Sequence, residues 1–276
     1  PAFGLTANDI DLPRLYFRNE TELLSRILHA LERGNHLLFV GPPGTGKSKL
    51  AKQLSTALVG ESYQMTTATA DWSTFDTIGG YQQTQTGQLE FSSGIFLDRF
   101  QDDKGMPANE WLIIDEFNRA NIDKALGSFF SVLAGDEVVL PFERAGQDII
   151  VYGTEPDGSA LVDRHEYIVS SEWRLLATMN SFDKSSLYDL SYALSRRFSY
   201  IHIPAPEKEE IDPDLVEKYV DCWPAISVTS DQIEAVTSIW RAVQSERPLG
   251  PAIIRDLLEA AVGTDLTPGV IQHVLP

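Results

Sequence analysis

An α/β fold, a parallel sheet covered on both faces and followed by a small all-helical unit, is predicted by three features of this 276-residue chain. Short apolar runs of strand type at 36–40, 62–66, 111–114, 174–179 and 200–203 are mostly separated by helical patterns, the order that buries parallel strands between layers of helices. The first run breaks into the glycine-rich segment Gly41-Pro42-Pro43-Gly44-Thr45-Gly46-Lys47-Ser48, which opens a helix. Beyond Pro204, Pro206 and the charged run 207–210, only helical patterns follow.

Taken in order, residues 22–33 put Leu23, Leu24, Ile27, Leu28 and Leu31 on one stripe, the spacing of an amphipathic helix, and Gly34 stops it. The strand at 36–40 and the helix at 47–58 flank the glycine-rich turn. The segment 136–171 carries apolar residues Val138 to Leu140, a Gly/Asp-rich middle at 153–159 and a second strand-like run at 167–169, the pattern of a hairpin. Helical patterns at 214–220, 231–243 and 253–262 then form the second unit. The predicted division is 1–205 for the sheet core and 206–276 for the helices.

Composition narrows the function classes. Forty acidic against 22 basic residues leave a formal charge of -18, which repels phosphate backbones and anionic lipid and so disfavours broad nucleic-acid or membrane binding. No apolar stretch reaches the roughly 18 residues that a bilayer span needs, and a soluble, cytoplasmic protein is expected. The single cysteine, Cys222, excludes an internal disulfide and a clustered thiolate metal site. Beginning at Pro1, the chain reads as a module of a longer protein.

The chemistry lies in the glycine-rich turn. Glycines let the backbone curl so that its N–H groups and the helix N-terminus converge on phosphates, Lys47 neutralises the β/γ oxygens, and the Ser48 hydroxyl suits Mg²⁺. Such a loop needs a carboxylate at the end of a neighbouring strand. Asp115 and Glu116 follow the run 111–114, Asp115 to orient the Mg²⁺ shell and Glu116 to polarise the attacking water. Asn180 ends another strand and is placed to hydrogen-bond the γ-phosphate or water. The pair Arg196-Arg197 precedes the last strand, where an arginine in ring-forming NTPases reaches the neighbour's γ-phosphate.

Residues 41–48, 112–120 (LIIDEFNRA), 177–180 (ATMN) and 192–198 (YALSRRF) resemble the Walker A, Walker B, sensor 1 and arginine-finger motifs of AAA+ ATPases. Residues 76–81 (DTIGGY), a Gly-rich stretch at 88–96 and Asn118-Arg119 are similar to the branch that holds MoxR-type ATPases, the McrB motor and dynein-related proteins. The resemblance implies an ATP-binding αβα core with inserts at about 82–97 and 136–171, a helical lid and a usually hexameric ring. ATP and Mg²⁺ are the implied cofactors, with the nucleotide held over Gly41 to Lys49, Lys49 included. Arg255, one turn into the last lid helix, takes the place of the sensor 2 arginine. Residues 180–184 (NSFDK) resemble the MNxxDR signature of McrB with Lys for Arg, which keeps GTP open. The implied partner is a remodelled protein, as for MoxR-type chaperones, or a nuclease subunit and DNA, as for McrB. In the ring, Phe142 or Tyr152 of the 136–171 insert is expected to touch a threaded substrate. The base is expected between residues 15–17 and the region of Pro251.

Overall fold

The computed structural model describes residues 4–102, 104–154, 163–181 and 191–260. The helix α1 (Glu20–Glu32) ends in a Schellman turn, with Gly34 N–H donating to Leu31 and Asn35 N–H to Ala30, so the glycine resolves the helix stop and aims the chain into β1 (His36–Gly41). α2 (Lys47–Val59), β2 (Tyr63–Thr67) and the short α3 (Thr74–Thr77) follow, then an antiparallel hairpin of β3 (Gly79–Gln83) and β4 (Leu89–Ser93). β5 (Trp111–Asp115) returns to the sheet, and the short helices α4 (Ile122–Leu126) and α5 (Phe129–Val132) lead to β6 (Glu137–Arg144), β7 (Gln147–Tyr152) and β8 (Glu166–Ile168). β9 (Leu175–Asn180), α6 (Tyr192–Ser195) and β10 (Phe198–His202) complete the core.

The main sheet is parallel, in the order β10-β1-β9-β5-β2. The middles of its central strands are apolar, with Leu37, Leu38, Phe39, Leu112, Ile113, Ile114, Leu175, Leu176 and Ala177 essentially unexposed, because helices cover both faces. All C-terminal strand ends therefore open on one edge, and that edge holds the glycine-rich turn after β1, Asp115 at the end of β5 and Asn180 at the end of β9.

The insert at 136–171 is more than a hairpin: β6 and β7 pair antiparallel and β8 adds to β7 in parallel. A bulge between Val139 and Glu143, at Pro141, turns Phe142 out of the ladder and onto the β3–β4 hairpin. There its ring meets Tyr81 at 5.6 Å and Phe91 at 5.1 Å, while Glu143 N–H donates to the Tyr81 hydroxyl at 2.9 Å. Phe142 thus joins the two inserts, and Tyr152 bonds Glu166 at 3.1 Å within its own sheet. The expected middle of this insert falls partly on 155–162, outside the described residues.

Past β10, α7 (Pro213–Asp221), α8 (Ser230–Gln244) and α9 (Ala252–Ala260) bury a second apolar cluster that includes Leu215, Val216, Tyr219, Val236, Trp240, Ile254 and Leu258. Asp212 caps α7 by accepting Leu215 N–H, Pro213 sits at its first turn, and Thr229 with Gln232 forms a capping box on α8. Residues 261–276 lie outside the described residues.

Two polar side chains are buried at the entry edge of the sheet. The Arg174 guanidinium donates to the carbonyls of Leu31, Ser171 and Trp173, tying β9 to the C-terminus of α1, where a cation also meets the helix dipole. His36 Nδ1 accepts Leu175 N–H at 3.2 Å, and burial, helped by Arg174 and Arg197, lowers its pKa from 6.5 to about 3. The native imidazole is therefore neutral, whereas an unfolded one takes a proton below pH 6.5. Its contribution is present above pH 6.5 and is lost as pH falls towards 3, by about 1.4 kcal/mol per unit. Chemical denaturation at pH 6.5 and 5 should show the parent losing about 2 kcal/mol more than His36→Gln; equal losses would contradict the buried neutral form.

Candidate nucleotide-hydrolysis site

The glycine-rich turn runs from the end of β1 into α2. Gly46, at φ +88°, takes the left-handed turn that starts the helix, and Leu15 covers it. The Thr45 hydroxyl braces the turn by donating to the Pro42 carbonyl at 3.0 Å. Lys47 is folded back: its Nζ donates to Gly41 O at 3.1 Å and Pro42 O at 2.7 Å, and only 5% of the residue is exposed. Burial lowers its pKa from 10.5 to about 8, against the opposing pull of Asp115 and Glu116. A buried ammonium bonded only to carbonyls gains most from an anion brought to it.

Ser48, one residue on, donates its hydroxyl to Asp115 Oδ1 at 2.5 Å. Thr178 of β9 donates to the same oxygen and accepts Glu116 N–H at 3.0 Å. Glu116 sits at φ +54°, a left-handed conformation uncommon for a residue with a side chain, and its carboxylate pairs with Arg119 at 2.5 Å. A hydroxyl and a carboxylate facing each other are hard oxygen donors that suit Mg²⁺, which brings its remaining ligands as water and phosphate. Among the described residues no group of three or more His, Cys, Asp or Glu could hold a metal by protein ligands alone.

These residues line a cleft of about 430 Å³, within the range of small-molecule sites. Pro43 to Lys49 form its floor, Asp115, Glu116, Thr178 and Asn180 its phosphate end, and Leu15, Tyr16, Tyr219, Cys222, Trp223 and Pro251 its walls. Asn180 is placed there by register, since its backbone lies opposite Gly41 across the β1–β9 pair. The roof is clamped to the floor: Gly250 N–H donates to Pro43 O at 3.0 Å and Ala252 N–H to Gly44 O at 3.2 Å. A Cβ on Gly250 would stand 2.2 Å from the Gly44 carbonyl carbon, so only glycine permits this approach. A larger, open hollow of about 1300 Å³ beside β4, β6 and β7 shares no residue with this cleft.

Two expected nucleotide contacts are in the cleft but otherwise engaged. Lys49 Nζ donates to the Arg14 carbonyl, which fastens the leading segment to α2, and Arg255 pairs with Glu259 at 3.3 Å and Asp256 at 3.8 Å. The arginine pair lies elsewhere. Arg197 contributes its carbonyl to His36 N–H at the start of β1, and Arg196 is exposed, its guanidinium 5.7 Å from the centre of the Tyr192 ring, itself 80% exposed. Residues 182–184 of the McrB-like stretch lie outside the described residues. Sequence reasoning gave no role to Thr178, Arg119, Gly250 or the Tyr219–Trp223 wall, although Thr178 and Arg119 lie within motifs it singled out and Gly250 stands beside Pro251.

A parallel sheet whose strand ends bring a phosphate loop against an acidic strand end defines a P-loop nucleoside triphosphatase of the AAA+ type. Residues 36–198 match the model of the AAA domain (dynein-related subfamily), and the chain belongs to this family, in the branch of the MoxR-type and McrB ATPases. Over 201 residues it is 31% identical to the type IV methyl-directed restriction enzyme EcoKMcrB subunit of Escherichia coli (strain K12). That match covers 71% of this chain and 39% of the relative's length. A solved candidate ATPase from Cytophaga hutchinsonii ATCC 33406 is similar at 19% identity and a TM-score of 0.44, over 74% of this chain and 50% of its own. Among the described residues no helix is long and apolar enough to cross a membrane.

Proposed function

We propose that the chain is the Mg²⁺-dependent ATP-hydrolysing module of a ring-forming motor that remodels a macromolecular partner. The observation that carries this is the meeting of Ser48, Asp115 and the Glu116 backbone at the phosphate end of the cleft. In this reading Gly41, Pro42, Pro43, Gly44, Thr45, Gly46 and Lys47 cradle the phosphates, Ser48 and Asp115 hold Mg²⁺, Glu116 orients and deprotonates water, and Asn180 fixes the water or γ-phosphate. Mg²⁺ supplies charge neutralisation at the phosphate oxygens. Tyr16, Tyr219 and Trp223 flank the base, and the helices beyond residue 206 act as the lid, locked to the loop through Gly250.

Assembly follows from the arginine pair. Arg196 and Arg197 precede β10 and so lie level with the start of β1, about 16 Å along the strand from the phosphate loop, too far to serve their own cleft. Arg196, exposed, is the finger for a neighbouring copy, whereas the Arg197 charge acts on buried His36. Turnover per chain should therefore rise with protein concentration, and Arg196→Ala should remove that rise. A monomer of constant specific activity would contradict the finger. A hexamer is the form the family branch favours.

The McrB relative and the McrB-like stretch support a nuclease subunit as partner, and the charge of -18 favours contact with protein over direct contact with DNA. ATP is the proposed substrate because it is the nucleotide most of the family uses; the apolar and aromatic walls stack on either purine, so discrimination falls to main-chain groups. Competition at equal ATP and GTP tests it, and a tenfold preference for GTP would overturn it in favour of a GTP-driven motor of the McrB kind.

A further inference from the structure

We infer that Thr178 is a positioning residue that sets the metal-side and water-side carboxylates with one hydroxyl, an inference that rests on the roles given above to Asp115 and Glu116. β5 and β9 are paired as far as Ile114 opposite Ala177, and there their ladder ends. The next residue on β9 is Thr178, and its side chain takes up what the backbone ladder drops: Oγ1 accepts Glu116 N–H at 3.0 Å and donates its own proton to Asp115 Oδ1. The Ser48 hydroxyl donates to that same carboxylate oxygen. One threonine therefore links the phosphate loop, the metal carboxylate and the backbone of the water-activating residue.

Three properties suit threonine to this task. It is 2% exposed, so water does not compete for either bond. Its β-branch restricts χ1, which holds the hydroxyl on both partners at once. And Glu116 stands at φ +54°, where the backbone bond to Thr178 offsets the cost of the turn that aims the carboxylate. Valine has the same shape but neither donates nor accepts, and it would leave the Glu116 peptide N–H without its partner and Asp115 Oδ1 with the Ser48 hydroxyl as its remaining donor.

The test compares the parent, Thr178→Val, Thr178→Ser and Glu116→Gln under assembling conditions, with kcat, KM for ATP, ATP affinity by calorimetry and nucleotide-free amide exchange at Glu116. Thr178→Val should lower kcat about 30-fold with KM and affinity within about threefold, because the bond acts on the reacting groups and not on the phosphates. Exchange at Glu116 should accelerate in the same variant. Thr178→Ser, which keeps the hydroxyl, should return kcat to within about threefold of the parent and restore slow exchange. Should the valine variant not fold, Thr178→Ala carries the same expectations. Parental kcat in Thr178→Val with slow Glu116→Gln would overturn the role of Thr178 and leave the site standing. Parental rates in both would overturn the site itself. A serine variant as slow as the valine variant, or equal losses in kcat and affinity, would reduce Thr178 to packing and overturn the proposal.

Discussion

Lys47→Ala is expected to weaken nucleotide binding by roughly a hundredfold or more while leaving the fold intact. Charge-assisted hydrogen bonds from one ammonium to several phosphate oxygens are worth about 3 kcal/mol or more together. In the free protein that ammonium is buried, bonded to Gly41 and Pro42 carbonyls, and its pKa is lowered to about 8. Removing it takes away a charge the protein holds at a cost, so thermal stability should hold or rise. The lowered pKa gives a second signature with a definite sign. Phosphate binds the charged form, so affinity should fall as pH rises through 8, and binding above that pH should take up a proton. Calorimetry in buffers of different ionisation enthalpy reads both. Unchanged affinity in Lys47→Ala would remove the phosphate loop from the site.

Glu116→Gln is expected to act on the other half of the cycle. It keeps size and hydrogen bonding but cannot take a proton from water, so nucleotide should bind normally and turnover should slow by about a hundredfold or more. The ion pair with Arg119 is lost as well, but Arg119 is half-exposed and such pairs contribute about 1 kcal/mol at most. A folded protein with bound, unhydrolysed ATP is the expected species. Hydrolysis at the parental rate would show that Glu116 is not the base.

Much of this was legible in local patterns. The strands at β1, β5 and β9 are runs of buried aliphatics, and Gly34 and Gly46 mark the turns around them by themselves. The positions of Ser48, Asp115 and Asn180 follow once the strands are parallel, because equivalent strand ends then meet on one edge. Thr178 was not legible, since its double hydrogen bond depends on where the β5–β9 ladder stops, a property of register and not of either strand alone. Phe142 or Tyr152 was expected to touch a threaded substrate; what the sequence did not show is that the bulge between Val139 and Glu143 packs Phe142 against Tyr81 and Phe91. Lys49 and Arg255, expected as nucleotide contacts by sequence position, line the cleft, where Lys49 bonds the Arg14 carbonyl and Arg255 the acids of α9.

The most direct test of the central claim, that nucleotide lies between the phosphate loop and the helices beyond residue 206, uses Cys222. It is the single cysteine of the chain and forms part of the cleft wall with Tyr219 and Trp223. Burial raises its pKa, so it is a slow, partly accessible thiol in the free protein. Alkylation of Cys222 should slow about tenfold or more in saturating ATP with Mg²⁺, and the protection should disappear in Lys47→Ala. An alkylation rate that is the same with and without nucleotide, at concentrations that support turnover, would contradict it.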